Sequence, residues 1–190
     1  MNVRRILLWS AGGIFALSTA APAQMGGKSR NGSDGDGPQL SDAQIAHIAV
    51  TADDIDIAYA HLALALSTNP DVRRFAESMI ADHGAVNGKA AALAKKLGLT
   101  PEDNPVSRQL SQQAKEKMDE LSRMRGVEFD RAYAANELAY HSAVNAAVRD
   151  ALLPSTRNPE LKKLLESAVP LFLGHEEHAR RLDASLRSGM

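Results

Sequence analysis

Four long segments of the chain carry apolar residues at alternating steps of three and four, which is the spacing of one face of an α-helix. The first of these stripes comprises Ile45, Ile48, Ala52, Ile55, Tyr59, Leu62 and Leu66. The later segments follow the same spacing, so each helix has an apolar face that another helix has to cover. We therefore predict an all-α fold in which long helices pack side by side.

Helix-capping residues indicate where these helices begin. Ser41 and Gln44 form a capping box, in which the side chain of each residue bonds the backbone N–H of the other. Three Asn-Pro pairs, each an N-cap residue followed by a proline in the first turn, lie at residues 69–70, 104–105 and 158–159. The sequence predicts helices over about residues 42–67, 70–97, 106–125, 127–153 and 159–187. Pro170 should kink the last helix, because proline cannot donate the helical hydrogen bond.

An internal repeat indicates how the helices are connected. Residues 69–78 and 158–167 match position by position, with four identities and six conservative changes, which indicates two similar helical hairpins. Residues 98–126 between them contain a helix of about 20 residues, or about 30 Å, which is long enough to cross from one end of a bundle to the other. Such a crossover is a feature of ferritin-like folds. Residues 41–188 are expected to form a ferritin-like four-helix bundle of two helical hairpins with a helical crossover connection.

The first 23 residues have the pattern of a secretory signal peptide. Arg4-Arg5 precedes an apolar run over residues 6–20, and Ala21-Pro22-Ala23 has the small-x-small pattern of a signal peptidase site. The run is shorter than the roughly 20 residues that span a bilayer, so we expect cleavage near Ala23 and no transmembrane span in the mature chain. An uncleaved anchor is the alternative, and both the general secretory and the twin-arginine routes stay open. Residues 24–40 should form a flexible Gly/Ser/Asp linker. From the signal-peptide pattern we expect the mature protein to be periplasmic or associated with the cell envelope.

Composition and motif content exclude several classes of function. The chain has no cysteine, which excludes disulfides, thiolate metal sites and a cysteine nucleophile. Lys plus Arg number 22 against 23 Asp plus Glu, without a basic run, which argues against nucleic-acid binding. The sequence has no Gly-rich phosphate loop, nucleophile elbow or Ser-His-Asp order, so we predict no catalytic residues. The expected partners are an unidentified protein, a small ligand or a second copy of the chain.

Ionisable residues interrupt the apolar stripes of three helices. His83, Glu137 and His175 each occupy a position that the period-seven pattern assigns to an apolar residue. A buried ionisable group is costly unless it finds a partner. Counting from the hairpin turns at 1.5 Å per residue places these three side chains and Asp56 within about two turns of mid-bundle, and His141 lies one turn from Glu137. The candidate metal ligands are therefore Asp56, His83, Glu137, His141 and His175.

Three interpretations of this cluster stay open. It can hold one Fe, Mn, Zn or Cu ion, for which imidazole and carboxylate groups on facing helices are suitable ligands. A di-iron site is disfavoured, because Ile80 and Phe172 stand where the Glu of each Glu-x-x-His pair would be. Alternatively, the histidines and carboxylates bond one another and fix which helices face each other. The third interpretation is a small-ligand or proton-responsive site.

Three motifs carry a resemblance to a known family: Phe75-Ala76-x-x-Met79-Ile80-x-Asp82-His83, Phe129-Asp130-x-x-Tyr133, and Pro170 with Gly174-His175. They resemble the bacterial secreted family called domain of unknown function 4142, over about residues 41–186. The resemblance implies a ferritin-like fold, an outer-membrane or periplasmic location and no established activity, and family members usually have Glu where this chain has Asp56.

The residues and the resemblance together suggest a function. We expect a secreted cell-envelope bundle that acts as a binding or structural protein rather than an enzyme, with a stress-related role implied by the resemblance alone. The alternative is a metal-binding ferritin-like protein or a metal-dependent oxidase that uses the mid-bundle cluster.

Overall fold

The structure, a computed structural model, describes residues 40–188, and this part of the chain consists of helices and the segments that connect them, without a β-strand. The helices are α1 (Asp42–Leu66), α2 (Pro70–Leu97), α3 (Pro105–Leu121), α4 (Gly126–Ala147), α5 (Leu153–Ser155) and α6 (Pro159–Ser188). The predicted all-α class is therefore confirmed. Among the described residues, no helix is both long enough and apolar enough to cross a membrane. The predicted signal peptide, and the predicted linker up to residue 39, lie outside the described residues.

The capping residues act as the sequence predicted. The Ser41 hydroxyl accepts from the backbone N–H of Gln44 at 3.2 Å, and Oε1 of Gln44 accepts from the N–H of Ser41 at 3.1 Å. The side chains of Asn69, Asn104 and Asn158 each accept hydrogen bonds from first-turn N–H groups of α2, α3 and α6. These bonds satisfy donors that the helix itself leaves free, which explains why the helices begin at these positions.

The helix ends differ more from the prediction than the starts. The helix predicted over residues 106–125 ends at Leu121, and the helix predicted to run to residue 153 passes into a π-helix over Val148–Leu152. A π-turn closes its hydrogen bonds one residue later than an α-turn, so an apolar spacing of three and four gives no sign of it. Helix α6 continues past Pro170 to Ser188.

Contacts at the helix ends define how the helices are arranged. Helix α1 packs on α2, α4 packs on α6, and α3 lies against α1. The Ser67 hydroxyl, just after α1, donates to Oδ1 of Asp130 near the start of α4 at 2.5 Å. The Asp42 carboxylate at the start of α1 accepts from the backbone N–H groups of Arg157 and Asn158, both at 2.9 Å. The turns of the two helical pairs therefore lie at opposite ends of α1.

The core contains polar as well as apolar side chains. Tyr133, Phe75, Phe129 and Ile45 are among the largest side chains that are fully buried. Beside these apolar groups, a set of ionisable side chains is also buried: Asp53, Asp56, His83, Glu137, His141 and His175. The burial of such groups is unfavourable unless they are partnered.

Candidate metal centre

The five residues predicted as candidate ligands lie together in the interior of the domain. They are Asp56 on α1, His83 on α2, Glu137 and His141 on α4, and His175 on α6. All are buried, and both carboxylate residues are 0% exposed. One ring nitrogen from each histidine lies within 4.8 Å of the other two, and ligand atoms of Asp56, Glu137 and His141 are equally close. His141 thus links a group of three histidines to a pair of carboxylates.

His83 lies between two carboxylates of α1. Its Nδ1 is 2.7 Å from Oδ1 of Asp53, and its Nε2 is 2.8 Å from Oδ2 of Asp56. The ring of Phe172 stacks on the imidazole, with 5.1 Å between centroids and 9° between planes. Burial lowers the pKa of His83, but the hydrogen bonds to the two carboxylates outweigh burial and raise this pKa to about 9. Without another cation, His83 is the positive partner of both carboxylates.

In His141 and in His175, only one of the two ring nitrogens has a hydrogen-bond partner among the described residues. Nδ1 of His141 is 3.0 Å from the backbone oxygen of Glu137, and Nε2 of His175 is 2.9 Å from Oδ2 of Asp82. The other nitrogens, Nε2 of His141 and Nδ1 of His175, are buried and have no hydrogen-bond partner among residues 40–188. Burial lowers the pKa of both histidines. Both are therefore neutral imidazoles, each with a free lone pair on the unpartnered nitrogen.

The pKa values of the two fully buried carboxyl groups are shifted in opposite directions. Burial, together with the negative charge of Asp56, raises the pKa of Glu137 well above its usual range. Burial also acts to raise the pKa of Asp56, but the hydrogen bond from His83 and the nearby His141 lower it to about 2. Oδ2 of Asp56 lies 3.8 Å from Nε2 of His141, and Oε2 of Glu137 lies 3.7 Å from Nδ1 of the same ring. Both distances are too long for a hydrogen bond. Without a bound cation, these surroundings therefore favour the ionised form of Asp56 and the protonated form of Glu137.

The family model described as Domain of unknown function (DUF4142) matches residues 28–182, which is most of the chain. The chain belongs to this family. The matched region contains all five candidate ligands and the three motifs that suggested the resemblance. Comparisons with curated proteins and with solved structures found no match. Since the DUF4142 description names no activity, the chemistry of this member has to be inferred from its own site.

Two carboxylates that hold histidines in this DUF4142 member were not among the predicted ligands. Asp53 precedes Asp56 by three residues, so both lie on the same face of α1. That spacing was a sequence signal from which Asp53 could have been found. Asp82 is the neighbour of His83 in sequence, but its side chain contacts His175 on α6. No local pattern identifies that partner, because it lies on a different helix.

Proposed function

We propose that this DUF4142 member is a binding protein for one transition-metal ion, held by the histidines and carboxylates of the candidate metal centre. The proposal is carried by the convergence of three buried imidazole nitrogens within 4.8 Å of one another. Metal-ligating histidines present one nitrogen to the ion and donate the other N–H to a carboxylate or a backbone carbonyl. All three histidines of the cluster have such an oxygen on one ring nitrogen.

The donor set selects a class of metal. Three imidazoles and two carboxylates suit Fe, Mn, Zn or Cu, whereas Ca²⁺ and Mg²⁺ prefer sites made of oxygen atoms. The charge is nearly balanced as well, since ionised Asp56 and Glu137 neutralise a divalent ion. Asp53, beside a neutral ligating His83, is the further buried carboxyl group of the site. Binding would release protons, because His83 has to lose its positive charge to become a ligand and Glu137 has to be ionised.

The same donor set favours a single ion over a dinuclear oxidase centre. Dinuclear carboxylate sites in helical bundles use a Glu-x-x-His pair on each of two helices. Ile80 and Phe172 occupy those glutamate positions in this chain, and the Phe172 ring stacks on His83 instead. We therefore propose metal binding in preference to the metal-dependent oxidase.

A structural role for the cluster is the second candidate, and the position of His83 between Asp53 and Asp56 favours it. A positive His83 forms an ion pair with one oxygen of each carboxylate without a metal and joins α1 to α2. This arrangement leaves one nitrogen of His141 and one of His175 buried without a partner in the described part of the chain. Such groups are costly in a cluster whose only role is structural, and for this reason metal binding is our first candidate.

We also propose a ferritin-like four-helix arrangement and export to the periplasm. The opposite positions of the two hairpin turns, together with α3 lying against α1, support a crossover between the two helical pairs. The signal-peptide pattern of residues 1–23 supports export, with cleavage near Ala23. A stress-protective role rests on the family resemblance.

Metal content and thermal stability together test the metal proposal. Protein purified from the periplasm without a histidine tag should carry one Fe, Mn, Zn or Cu ion per chain. After the metal has been removed by chelation, adding the same metal back to the protein should raise its melting temperature. The stabilisation follows mass action and amounts to about 2.7 kcal/mol at a free metal concentration of 100 times Kd.

Histidine variants supply the controls for this experiment. His141→Ala and His175→Ala should abolish the metal-dependent rise in melting temperature, because each removes a ligand nitrogen. His61→Ala is the matched control, since it removes an exposed histidine of α1 and should leave the rise unchanged. A metal-free protein whose melting temperature responds to none of the four metals would instead support the structural role.

A further inference from the structure

An apolar cavity of about 330 Å³ lies between the α1–α2 pair and the α4–α6 pair. This volume is within the range of small-molecule sites, about 300–1,000 Å³. Leucines form much of the wall, among them Leu93, Leu97, Leu161 and Leu165. Each of the four helices also contributes alanine, whose methyl group does not fill the space between them; examples are Ala49, Ala94, Ala147 and Ala168.

The π-helix that follows α4 forms part of the cavity wall. Val148 and Leu152 are its first and last residues, and both line the cavity. π-Helices are rare, and they are found frequently at functional sites. The cavity is therefore lined both by an irregular backbone segment, the π-helix, and by a cluster of small side chains.

The polar side chains of the cavity present hydrogen-bond acceptors. Asp53, Asp54 and Asn87 line it, and no Lys, Arg or His is among the described residues that do so. Nδ2 of Asn87 donates to Oδ1 of Asp54 at 2.8 Å. Oδ1 of Asn87 is buried and has no hydrogen-bond partner within residues 40–188. An anionic ligand would therefore meet acceptors and negative charge, whereas a donor with positive charge would find partners.

We propose that this cavity binds a cationic amphiphile, namely an alkyl amine whose apolar chain lies between the helices and whose ammonium group reaches Asn87 and Asp54. The ammonium donors would satisfy the buried amide oxygen of Asn87 and pair with the carboxylate of Asp54. The site goes beyond the proposed metal centre and does not require the ion. The two sites are neighbours, since Phe172 and Asp53 line the cavity and also contact His83.

Calorimetric titration of the metal-free protein with decylamine, decanol and decanoate, each below its micelle concentration, tests this proposal. Decylamine should bind at a single site. The affinity for decanoate should be lower than that for decylamine by about tenfold or more, because the carboxylate would lie beside groups of like charge. Decanol has a donor but no charge and should fall between the two. Failure of decylamine to bind, or equal affinities for decylamine and decanoate, would overturn the proposal.

Two matched pairs of variants locate the site. Ala94→Phe should fill the cavity and abolish decylamine binding, whereas Ala184→Phe, at an exposed position outside the cavity, should leave it unchanged. Asp54→Lys alters an exposed residue and should reverse the preference in favour of decanoate. Asp119→Lys makes the same change in charge on α3, away from the cavity, and should preserve the preference for decylamine. Wild-type behaviour of both Ala94→Phe and Asp54→Lys would place the amine elsewhere and overturn the proposal.

The metal and amine proposals can fail separately. His175→Ala should lose metal-dependent stabilisation and still bind decylamine, because His175 does not line the cavity. Ala94→Phe should lose decylamine binding and keep the metal response. Decylamine binding that disappears in His175→Ala, with the variant folded by circular dichroism, would contradict a separate amine site.

Discussion

Asp53 determines which nitrogen of His83 is available in the cluster. Its Oδ1 accepts a hydrogen bond from Nδ1 of His83 at 2.7 Å, which leaves Nε2 as the nitrogen that faces Asp56. A carboxylate in this position fixes the tautomer and the orientation of an imidazole, and it makes the other nitrogen a better ligand. In the proposed metal site, Asp53 is therefore a positioning residue that would act on the ion through His83.

The first prediction concerns this positioning role. Asp53→Asn should weaken metal binding about 10- to 100-fold, the usual effect of removing a carboxylate that supports a ligating histidine. Asp54→Asn is the matched control, because Asp54 is the next residue of α1, is exposed and contacts Asn87 instead of a histidine. Competition titrations against a chelator measure both affinities, and equal values would contradict the role of Asp53.

His83 should also make the stability of the metal-free protein depend on pH. Its pKa rises from 6.5 to about 9 on folding. The stabilisation is therefore complete below pH 6.5 and is lost as the pH rises through about 9. The contribution of His83 to the unfolding free energy should fall by roughly 3 kcal/mol over this range. Denaturant titrations of chelator-treated protein measure the fall, and His83→Gln should show a much smaller one. Parallel curves for the two proteins would count against the prediction.

Three of the long helices begin at an Asn-Pro pair that is visible in the local sequence, whereas two helix ends have no local signature. Asn69, Asn104 and Asn158 each cap a helix whose first residue is a proline. An N-cap is a bond between a side chain and the backbone two or three residues away, so it can be recognised in sequence. The end of α3 at Leu121 and the π-helix at Val148 have no such local signature.

Leu182→Asp tests whether the apolar stripe of α6 is its buried face. Leu182 is 4% exposed, so the substitution would place an unpaired carboxylate in the core and should lower the unfolding free energy by about 4 kcal/mol or more. Ala184→Asp, two residues further along and exposed, should change stability by about 0.5 kcal/mol or less. Chemical unfolding measures both, and similar losses for the two variants would contradict the stripe.

The packing of the helices brings residues from the middle of α1, α2, α4 and α6 close together. The turn after α1 is bonded to α4 through Ser67 and Asp130, and the turn before α6 is bonded to Asp42 at the opposite end of α1. With the helix ends joined in this way, residues near the centre of each helix meet at the same depth. The candidate metal centre follows from this arrangement, because its ligands come from four different helices.

Export should remove the first 23 residues of the chain. The mature protein should then begin at Gln24 and show no tryptophan fluorescence, because Trp9 is the only tryptophan in the sequence. Intact mass and emission spectra of protein from the periplasmic fraction measure both properties. Ala23→Leu puts a bulky residue at the cleavage site and should leave the precursor uncleaved. Exported wild-type protein that retains residues 1–23 would contradict the prediction.

Local spacing was enough to predict the helices, their N-caps and their buried faces, because each depends on residues within one or two turns of each other. It also identified His83, Glu137 and His175, since an ionisable residue on an apolar stripe stands out before the fold is known, and counting along the helices added Asp56 and His141 as candidate ligands. The contacts of Asp53 and Asp82 with the histidines, and the cavity beside the π-helix, were decided only by the tertiary structure. These features depend on how neighbouring helices are shifted and rotated, and a shift of one residue moves a side chain by about 1.5 Å along the axis and onto another face.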